Sequence, residues 1–512
     1  MKRIVGFLMS RIVIVGTLIL AQFGILFLVI AYFNEHFALY YSITTVFAVI
    51  LVCHIVSKRE NPSYKIAWII LILLMPPFGA AIYMIISGNH ITRGQKKRLA
   101  GMYSTLRFMI NEKETTSDVD FDTASAKKQS DYITSTAYCP PFVGTDCTYF
   151  PSGELFFPSF LESLEKAERF IFLEYFIIAK GIMWDSIHEI LVRKANSGVD
   201  VRVIYDDMGC INHLSTGFNK VLEGEGISCR VFNRFIPVLS ARLNNRNHRK
   251  ICVVDGKVGF TGGINIADEY INKNSPYGYW KDNAVKLEGP AVSSLTAMFL
   301  SMWESLDISR EKQDTDHFEF FPNVSCSDGR ELGIIQPYTD NPLDDHPVSE
   351  NVYINMISAA EKYVWITTPY LIIDYNVEQA LCTAALSGVD VRIVVPGIPD
   401  KKMIYEATKS NYKALHEAGV KLYEYSPGFI HAKTFLCDDV YGSVGTVNLD
   451  FRSLYLHFEC GVWIYKSPVL SDIKLDFEEM FNVSHLVKNG ERNVGVFRRA
   501  LRSVMDVMSP LI

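Results

Sequence analysis

Three apolar runs open the chain. Residues 12–32 are apolar except for Thr17 and Gln22, residues 37–56 are interrupted mainly by Ser42, Thr44, Thr45 and His54, and residues 66–86 carry Pro76, Pro77 and Gly79 at their middle. Each is long enough for the ~20 helical residues that cross ~30 Å of hydrocarbon. Residues 1–88 are therefore expected to be a membrane anchor of two or three transmembrane segments. A cleaved leader would have a shorter apolar region and a small-residue cleavage site. Basic clusters flank these runs: Lys2, Arg3 and Arg11, then Lys58, Arg59 and Lys65, then Arg93, Lys96, Lys97 and Arg98. The positive-inside tendency asks for all three in the cytoplasm. Three full spans cannot satisfy that, whereas a third segment that re-enters at Pro76-Pro77 can.

Residues 89–135 are polar and of mixed charge, and read as a basic juxtamembrane helix followed by a linker. Beyond them the pattern changes to short β-rich apolar runs, such as FIFLEYFII at 170–178 and VDVRVIYD at 199–206, alternating with helical patterns such as Ser186–Ala195. That alternation predicts βαβ units in an α/β domain. The order then returns: SGVDVR stands at 197–202 and again at 387–392, and VWITTPYLII at 364–373 takes the place of FIFLEYFII. An internal duplication follows, with one repeat over 136–320 and the second over 321–512, the two packed so that a site falls at their shared seam.

Each repeat carries one further signature. The first is HRKICVVDGKVGFTGGIN, with His248, Lys250, Asp255, Gly262, Gly263 and Asn265; the second is HAKTFLCDDVYGSVGTVN, with His431, Lys433, Asp438, Gly445, Thr446 and Asn448. Every member is displaced by 183 positions, a coincidence that two unrelated core histidines would not produce. On a strand, residues two apart share a face, so each histidine projects with its lysine. Two imidazoles, two ammoniums and two carboxamides directed at one point suit a phosphodiester. One neutral imidazole can attack phosphorus and the other can protonate the leaving oxygen. Lysines and asparagines can hold the non-bridging oxygens. His248, Lys250, Asp255, His431, Lys433 and Asp438 are the expected catalytic residues, and Asn265 and Asn448 the expected phosphate-binding ones.

Composition narrows the class. The net charge of −6 over 512 residues argues against a nucleic-acid partner. The ten cysteines show no metal-finger spacing and read as scattered thiols. No carboxylate or cysteine cluster is spaced for Mg²⁺ or Zn²⁺, so neither a metal nor another cofactor is expected. Arg234, Arg242, Arg246 and Arg249, just before the first motif, could bind a headgroup or be ordinary solvated arginines.

The paired H-x-K-x4-D motifs resemble the phospholipase D superfamily. NRNHRKICVVDGKVGFTGGINIADEY (245–270), YGYWKDNAVKLEGPAV (277–292), NLDFRSLYLHFE (448–459), the W…PPFG…Y pattern of the anchor and the terminal SPLI look like bacterial cardiolipin synthases. The resemblance implies two duplicated α/β/α sandwich repeats related by a pseudo-twofold axis, behind N-terminal transmembrane helices. It implies a multi-pass protein of the cell membrane with a cytoplasmic catalytic domain, acting among phosphatidylglycerol and other anionic lipids. The implied reaction converts two phosphatidylglycerols to cardiolipin and glycerol through a phosphohistidine. His248 is then the nucleophile and His431 the acid and base, with each ring oriented by an acid of the opposite repeat, Glu459 for His248 and Asp282 for His431. A phospholipase D-type hydrolase or another phosphatidyltransferase would use the same residues. Two departures are visible: PYLIIDY at 369–375 has no proline before Asp374, and His457 stands where asparagine is common.

Overall fold

The computed structural model describes residues 37–58, 60–74, 76–87, 119–234, 244–306, 318–322, 330–343 and 346–488, with short stretches between 20 and 32 and between 502 and 511. Two sheets form the body. From edge to edge the first runs Asp146–Phe150, Ala284–Glu288, Val258–Gly262, Lys250–Val254, Phe170–Tyr175, Asp200–Asp206 and Ser228–Phe232. The second repeats that order with Ile334–Asp340, His457–Tyr465, Tyr441–Gly445, Thr434–Cys437, Tyr363–Thr367, Asp390–Pro396 and Lys421–Tyr425. Phe142–Val143 and Ser484–Leu486 extend its two edges. The duplicated α/β organisation expected from the sequence is thus present strand for strand.

The strands at the middle of each sheet are buried along their whole length, as in Phe170–Tyr175 and Tyr363–Thr367, because helices or the opposite sheet cover both faces. The helix Ile182–Asn196 buries Met183, Trp184, Ile187, Ile190 and Leu191, an i, i+4, i+7 stripe, and ends with Arg193 and Lys194 where its negative dipole end favours cations. The helix Val292–Ser305 is buried on nearly all sides. Its residues join one apolar cluster with Phe172, Val253 and Leu287 of the first sheet and with Tyr338, Val352 and Ile366 of the second repeat. The two repeats therefore share a core.

The expected linker differs from what the structure shows. Residues 89–118 lie outside the described residues, but Ala124–Ala137 is a helix, capped by the Thr123 hydroxyl, which accepts from the Ala126 amide at 3.2 Å. Ala126 and Ile133 are fully buried in the shared core. Phe142–Val143 pairs with Ile334–Ile335, so this segment, counted by sequence with the first repeat, completes the sheet of the second.

The expected apolar run at 12–32 lies largely outside the described residues. The second run is the helix Phe37–Ser57; the third divides into Pro62–Leu74 and Pro76–Ile86. Among the described residues no helix is long and apolar enough to cross a membrane. At 1.5 Å per residue the 13- and 11-residue helices reach only ~20 Å and ~17 Å. They fold back on one another: Trp68 meets Tyr83 edge to face at 5.3 Å, and any side chain on Gly79 would collide with the backbone of Leu71 and Ile72. The pairing of 68 with 83 and 72 with 79 makes this an antiparallel hairpin. Leu511 packs against the same cluster. Asn61, at the start of the hairpin, donates from its Nδ2 to Asp374 at 2.7 Å and to the Tyr455 hydroxyl at 2.8 Å, fastening the hairpin to the second repeat.

Candidate active site

Two short parallel bridges tie the repeats together, and they set the site. Arg246–Asn247, leading into the first motif, pairs with His457–Phe458 of the second repeat. Gly428–Ile430, leading into the second motif, pairs with Tyr279–Lys281 of the first. The bridges continue as His248 N donating to Phe458 O at 2.9 Å and His431 N donating to Lys281 O at 2.7 Å. One step along each strand, Glu459 comes beside His248 and Asp282 beside His431. His248 Nδ1 lies 2.9 and 3.0 Å from the two Glu459 oxygens. His431 Nδ1 lies 2.6 Å from Asp282 Oδ2. A hydrogen bond from Nδ1–H fixes the tautomer and turns the free Nε2 outward, the arrangement a nucleophile or general base requires.

The four basic residues are almost sealed. His248 and His431 are 6 % and 7 % exposed, Lys250 and Lys433 each 1 %. Burial, followed by the charges of Lys250, Lys433 and His431, pushes the His248 pKa well below the ordinary histidine value, so residues of both motifs act on one ring. Burial and then Lys433 push His431 down to about 4. Burial lowers Lys250 to about 8 and Lys433 to about 7, against the pull of Glu459 and Asp282. Burial also opposes ionisation of Asp282, but His431 and Lys433 outweigh it and hold that carboxyl below its ordinary range. Lys250 Nζ donates to His248 O at 2.7 Å, and Lys433 Nζ donates to His431 O. Phe176 stands 5.0 Å from the His248 ring, while Tyr270, Trp280 and Phe429 stand 5.5, 5.7 and 6.1 Å from His431. The walls are apolar and the centre is cationic, a place for a phosphodiester with apolar attachments.

Asp255 and Asp438 do not join this cluster, contrary to their expected catalytic place. Each lies beyond the far end of the strand its motif opens, in the left-handed backbone region. Asp255 accepts from the amides of Glu168, Arg169 and Phe170 at 2.8–2.9 Å. Asp438 accepts from those of Glu361, Lys362 and Tyr363 at 2.6–2.9 Å. Five strand residues span ~17 Å, too far for contact with the atoms at His248. These carboxylates clamp the start of the neighbouring strand, and spacing alone could not tell a clamp from a catalyst.

The carboxamides diverge. Asn265 Oδ1 accepts from the Ile177 amide at 3.1 Å and its Nδ2 donates to the Tyr270 hydroxyl at 2.7 Å, so it is largely committed to the wall beside His431. Asn448 is 6 % exposed and its Oδ1 has no partner. Arg246 and Arg249 are buried rather than solvated: Arg246 lies 3.5 Å from Asp206, and Arg249 lies 3.8 Å from Glu174 and donates to Glu459 O at 3.4 Å. They brace the floor under the first motif. Asp374 accepts from the Val377 amide as a helix cap and from Asn61 of the N-terminal hairpin.

Two residues named in the sequence without a role acquire one from the geometry. The Thr446 hydroxyl donates to Glu459 Oε2, steadying the acid that steadies His248. His457 lies beside Glu459 with its ring 5.6 Å from that of His248. His248, His457 and Glu459 place one ligand atom each within 4.8 Å of one another, a spacing a transition metal could draw together. Both Glu459 oxygens already serve His248 and Thr446, so an ion there would displace the Nδ1 proton that orients the ring. The nine described cysteines are free thiols, eight of them buried.

The comparisons identify the family. The family described as "Cardiolipin synthase, PLD-like domain" matches residues 160–303 and 353–481, and the family described as "Phospholipase_D-nuclease N-terminal" matches 46–88. A protein from Streptococcus mutans is 40% identical, with 90% of this chain and 99% of that one aligned. A cardiolipin synthase from Geobacillus kaustophilus is 32% identical over 92% of this chain and 94% of its own. The phosphatidylserine synthase of Haemophilus influenzae shares the fold at a TM-score of 0.58 and 15% identity, over 75% of this chain and 97% of that one. With both repeats matched, two histidine–lysine pairs at their seam and relatives aligned over nearly their whole length, the chain belongs to the bacterial cardiolipin synthases of the phospholipase D superfamily and is a phosphatidyltransferase.

Proposed function

We propose that the chain transfers a phosphatidyl group from one phosphatidylglycerol to the hydroxyl of another, releasing glycerol and giving cardiolipin. The observation that carries this reading is the reciprocal pairing of His248 with Glu459 and His431 with Asp282 across the repeat boundary. It gives one phosphorus site two oppositely placed imidazoles. His248 Nε2 attacks phosphorus. The P–O bond to glycerol breaks and His431 delivers a proton to the departing oxygen. His431 then takes the proton of the incoming lipid's hydroxyl, whose oxygen attacks phosphorus as the P–N bond to His248 breaks. The low pKa of His248 keeps the nucleophile neutral. In the empty site His431 is neutral too; the bound phosphodiester anion and Asp282 together favour its protonated form. Lys250, Lys433 and Asn448 hold the non-bridging oxygens. The near-complete burial of the site favours a lipid alcohol over water.

The membrane completes the reading. Ile43, Val46, Val49, Ile50 and Val56 on Phe37–Ser57, and Ile66, Leu73, Leu74 and Met84 on the hairpin, are each more than half exposed, a surface made for lipid. The bonds of Asn61 to the second repeat support a reading in which both ends of the hairpin lie on the catalytic side. Cysteines placed at Ser63 and at Asn89, two positions beyond Ser87, should both react with a thiol reagent applied from the catalytic side; labelling of Asn89→Cys from the other side alone would refute the hairpin. The central assay is purified protein in phosphatidylglycerol vesicles with a chelator present. Equimolar cardiolipin and glycerol is expected. Phosphatidic acid as the sole product would overturn transfer in favour of hydrolysis.

A further inference from the structure

His457 has no function in the mechanism above, and its surroundings call for one. It opens the strand His457–Tyr465, two residues before Glu459, so both project from one face. Its side chain is 10 % exposed. Neither ring nitrogen has a hydrogen-bond partner. Nδ1 lies 3.5 Å from Glu459 Oε1, too long for a sound bond, and His248 and Thr446 already hold Glu459 in place. Burial pushes the His457 pKa down to about 3, so the ring is neutral and offers one donor and one acceptor. Buried polar groups are normally satisfied, and this one stands within the phosphorus site, 5.6 Å from the nucleophilic ring. Both nitrogens are closed over when no substrate is bound, and a headgroup that parts the side chains above them would supply the partners. What lies next to the reacting phosphorus, on the side opposite the acyl chains, is the headgroup, and a polyol headgroup supplies hydroxyls that both donate and accept.

We propose that His457 reads the headgroup hydroxyls of the lipid at His248, donating to one hydroxyl oxygen and accepting from another. This rests on the phosphatidyl-transfer reading and adds the feature that selects a hydroxylated headgroup. No group titrates and no covalent step is added; the residue acts by fit.

The test compares phosphatidylglycerol with phosphatidylethanol, which has the same phosphodiester but no headgroup hydroxyl, as donors in mixed vesicles. Wild type should favour phosphatidylglycerol at least ~10-fold in kcat/KM. In His457→Ala that ratio should fall towards one, mainly through KM for phosphatidylglycerol. Either His457→Asn or His457→Gln should restore it, because an amide also offers a donor and an acceptor, and the one that succeeds identifies the ring nitrogen used. An unchanged ratio in His457→Ala with both donors slowed alike would overturn the proposal in favour of a purely structural residue. So would a wild type that does not discriminate. Failure of the transfer reading looks different: the donor preference would persist while the product was phosphatidic acid alone.

Discussion

Thr446 and Gly263 occupy equivalent places in the two motifs, yet they treat the neighbouring acid in opposite ways. Thr446 donates its hydroxyl to Glu459, whereas any side chain at Gly263 would collide with Asp282 Oδ1. The longer acid is held by a bond and the shorter one by close approach to a bare backbone. Thr446→Val removes one hydrogen bond of ~1 kcal/mol and should slow turnover several-fold without loss of fold. Gly263→Ala displaces Asp282 and with it the His431 ring; misplacement of ~1 Å can cost ~10²-fold. Initial rates beside thermal melting of both variants check the pair. Equal effects would mean the acids are not held differently.

The acids themselves are expected to act through the rings. Glu459→Gln and Asp282→Asn preserve shape but favour the wrong tautomer, a change that costs ~10⁴-fold in the serine protease case. Each should lower kcat by at least ~10²-fold with little change in melting. In His431→Ala, a donor with a good leaving group should leave its phosphatidyl label on His248, and in His248→Ala none should be retained. Label on His431 instead would reverse the two roles.

Asp255 and Asp438 should behave otherwise. Removing either carboxylate by substitution with Ala strands three backbone donors, each costing ~1–3 kcal/mol when left unmet. The expected loss of ~3 kcal/mol or more shows as a lower denaturation midpoint. Activity per folded molecule, measured well below that midpoint, should fall less than ~10-fold, against near-complete loss in His248→Ala. A folded Asp255→Ala protein with no turnover would return this residue to the catalytic set.

These differences show which features the sequence made legible. The 183-residue displacement identified the duplication, the histidine–lysine pairs and, with the resemblance, their acidic partners. Alternation along a strand says which side chains share a face, but not how far along the strand the chemistry reaches, so Asp255 and Asp438 looked catalytic. Ala124–Ala137 has little apolar periodicity to set it apart from a linker, and its burial is decided by the groove it fills against the helix Val348–Ala359. His457 carried no spacing signal, because its position matters only once the two repeats are joined.

The buried lysines predict an alkaline limb. In the empty site Lys433 titrates at about 7 and Lys250 at about 8, each losing its positive charge above that value. An anionic phosphodiester binds the charged forms, so kcat/KM, which reports the free enzyme, should fall as pH rises through 7 to 8. Lys433→Gln should abolish the lower limb, leave the one near 8, and lower the rate ~10²–10³-fold, the usual effect of losing one such donor. A profile flat to pH 9 in wild type would show that these ammoniums stay charged throughout.

The fastening of the N-terminal hairpin should also depend on pH, with the opposite chemistry. Glu350 and Asp374 lie together under the Tyr455 hydroxyl, 2.8 and 2.7 Å from its oxygen, and Asn61 of the hairpin completes the group. Burial, and then the charge of Asp374, raise the Glu350 pKa from 4.5 to about 7. The folded state therefore holds a proton that the unfolded state releases above 4.5. The stabilisation this provides is complete below 4.5, falls as pH rises, and is gone above about 7. Past that point two buried carboxylates repel one another beneath Asn61, and the hairpin should dock less firmly. Hydrogen exchange of residues 62–74 should accelerate between pH 6 and 8 beyond the intrinsic rate, and Glu350→Gln, which keeps the shape but not the charge, should remove that excess. Because Tyr455 ends the short helix that leads to His457 and Glu459, loosening it would reach the active site through four residues of backbone. The same variant should then flatten any fall in cardiolipin formation over this range that is not due to Lys433 and Lys250. If exchange in 62–74 rises identically in wild type and Glu350→Gln, the carboxyl pair is not what holds the hairpin.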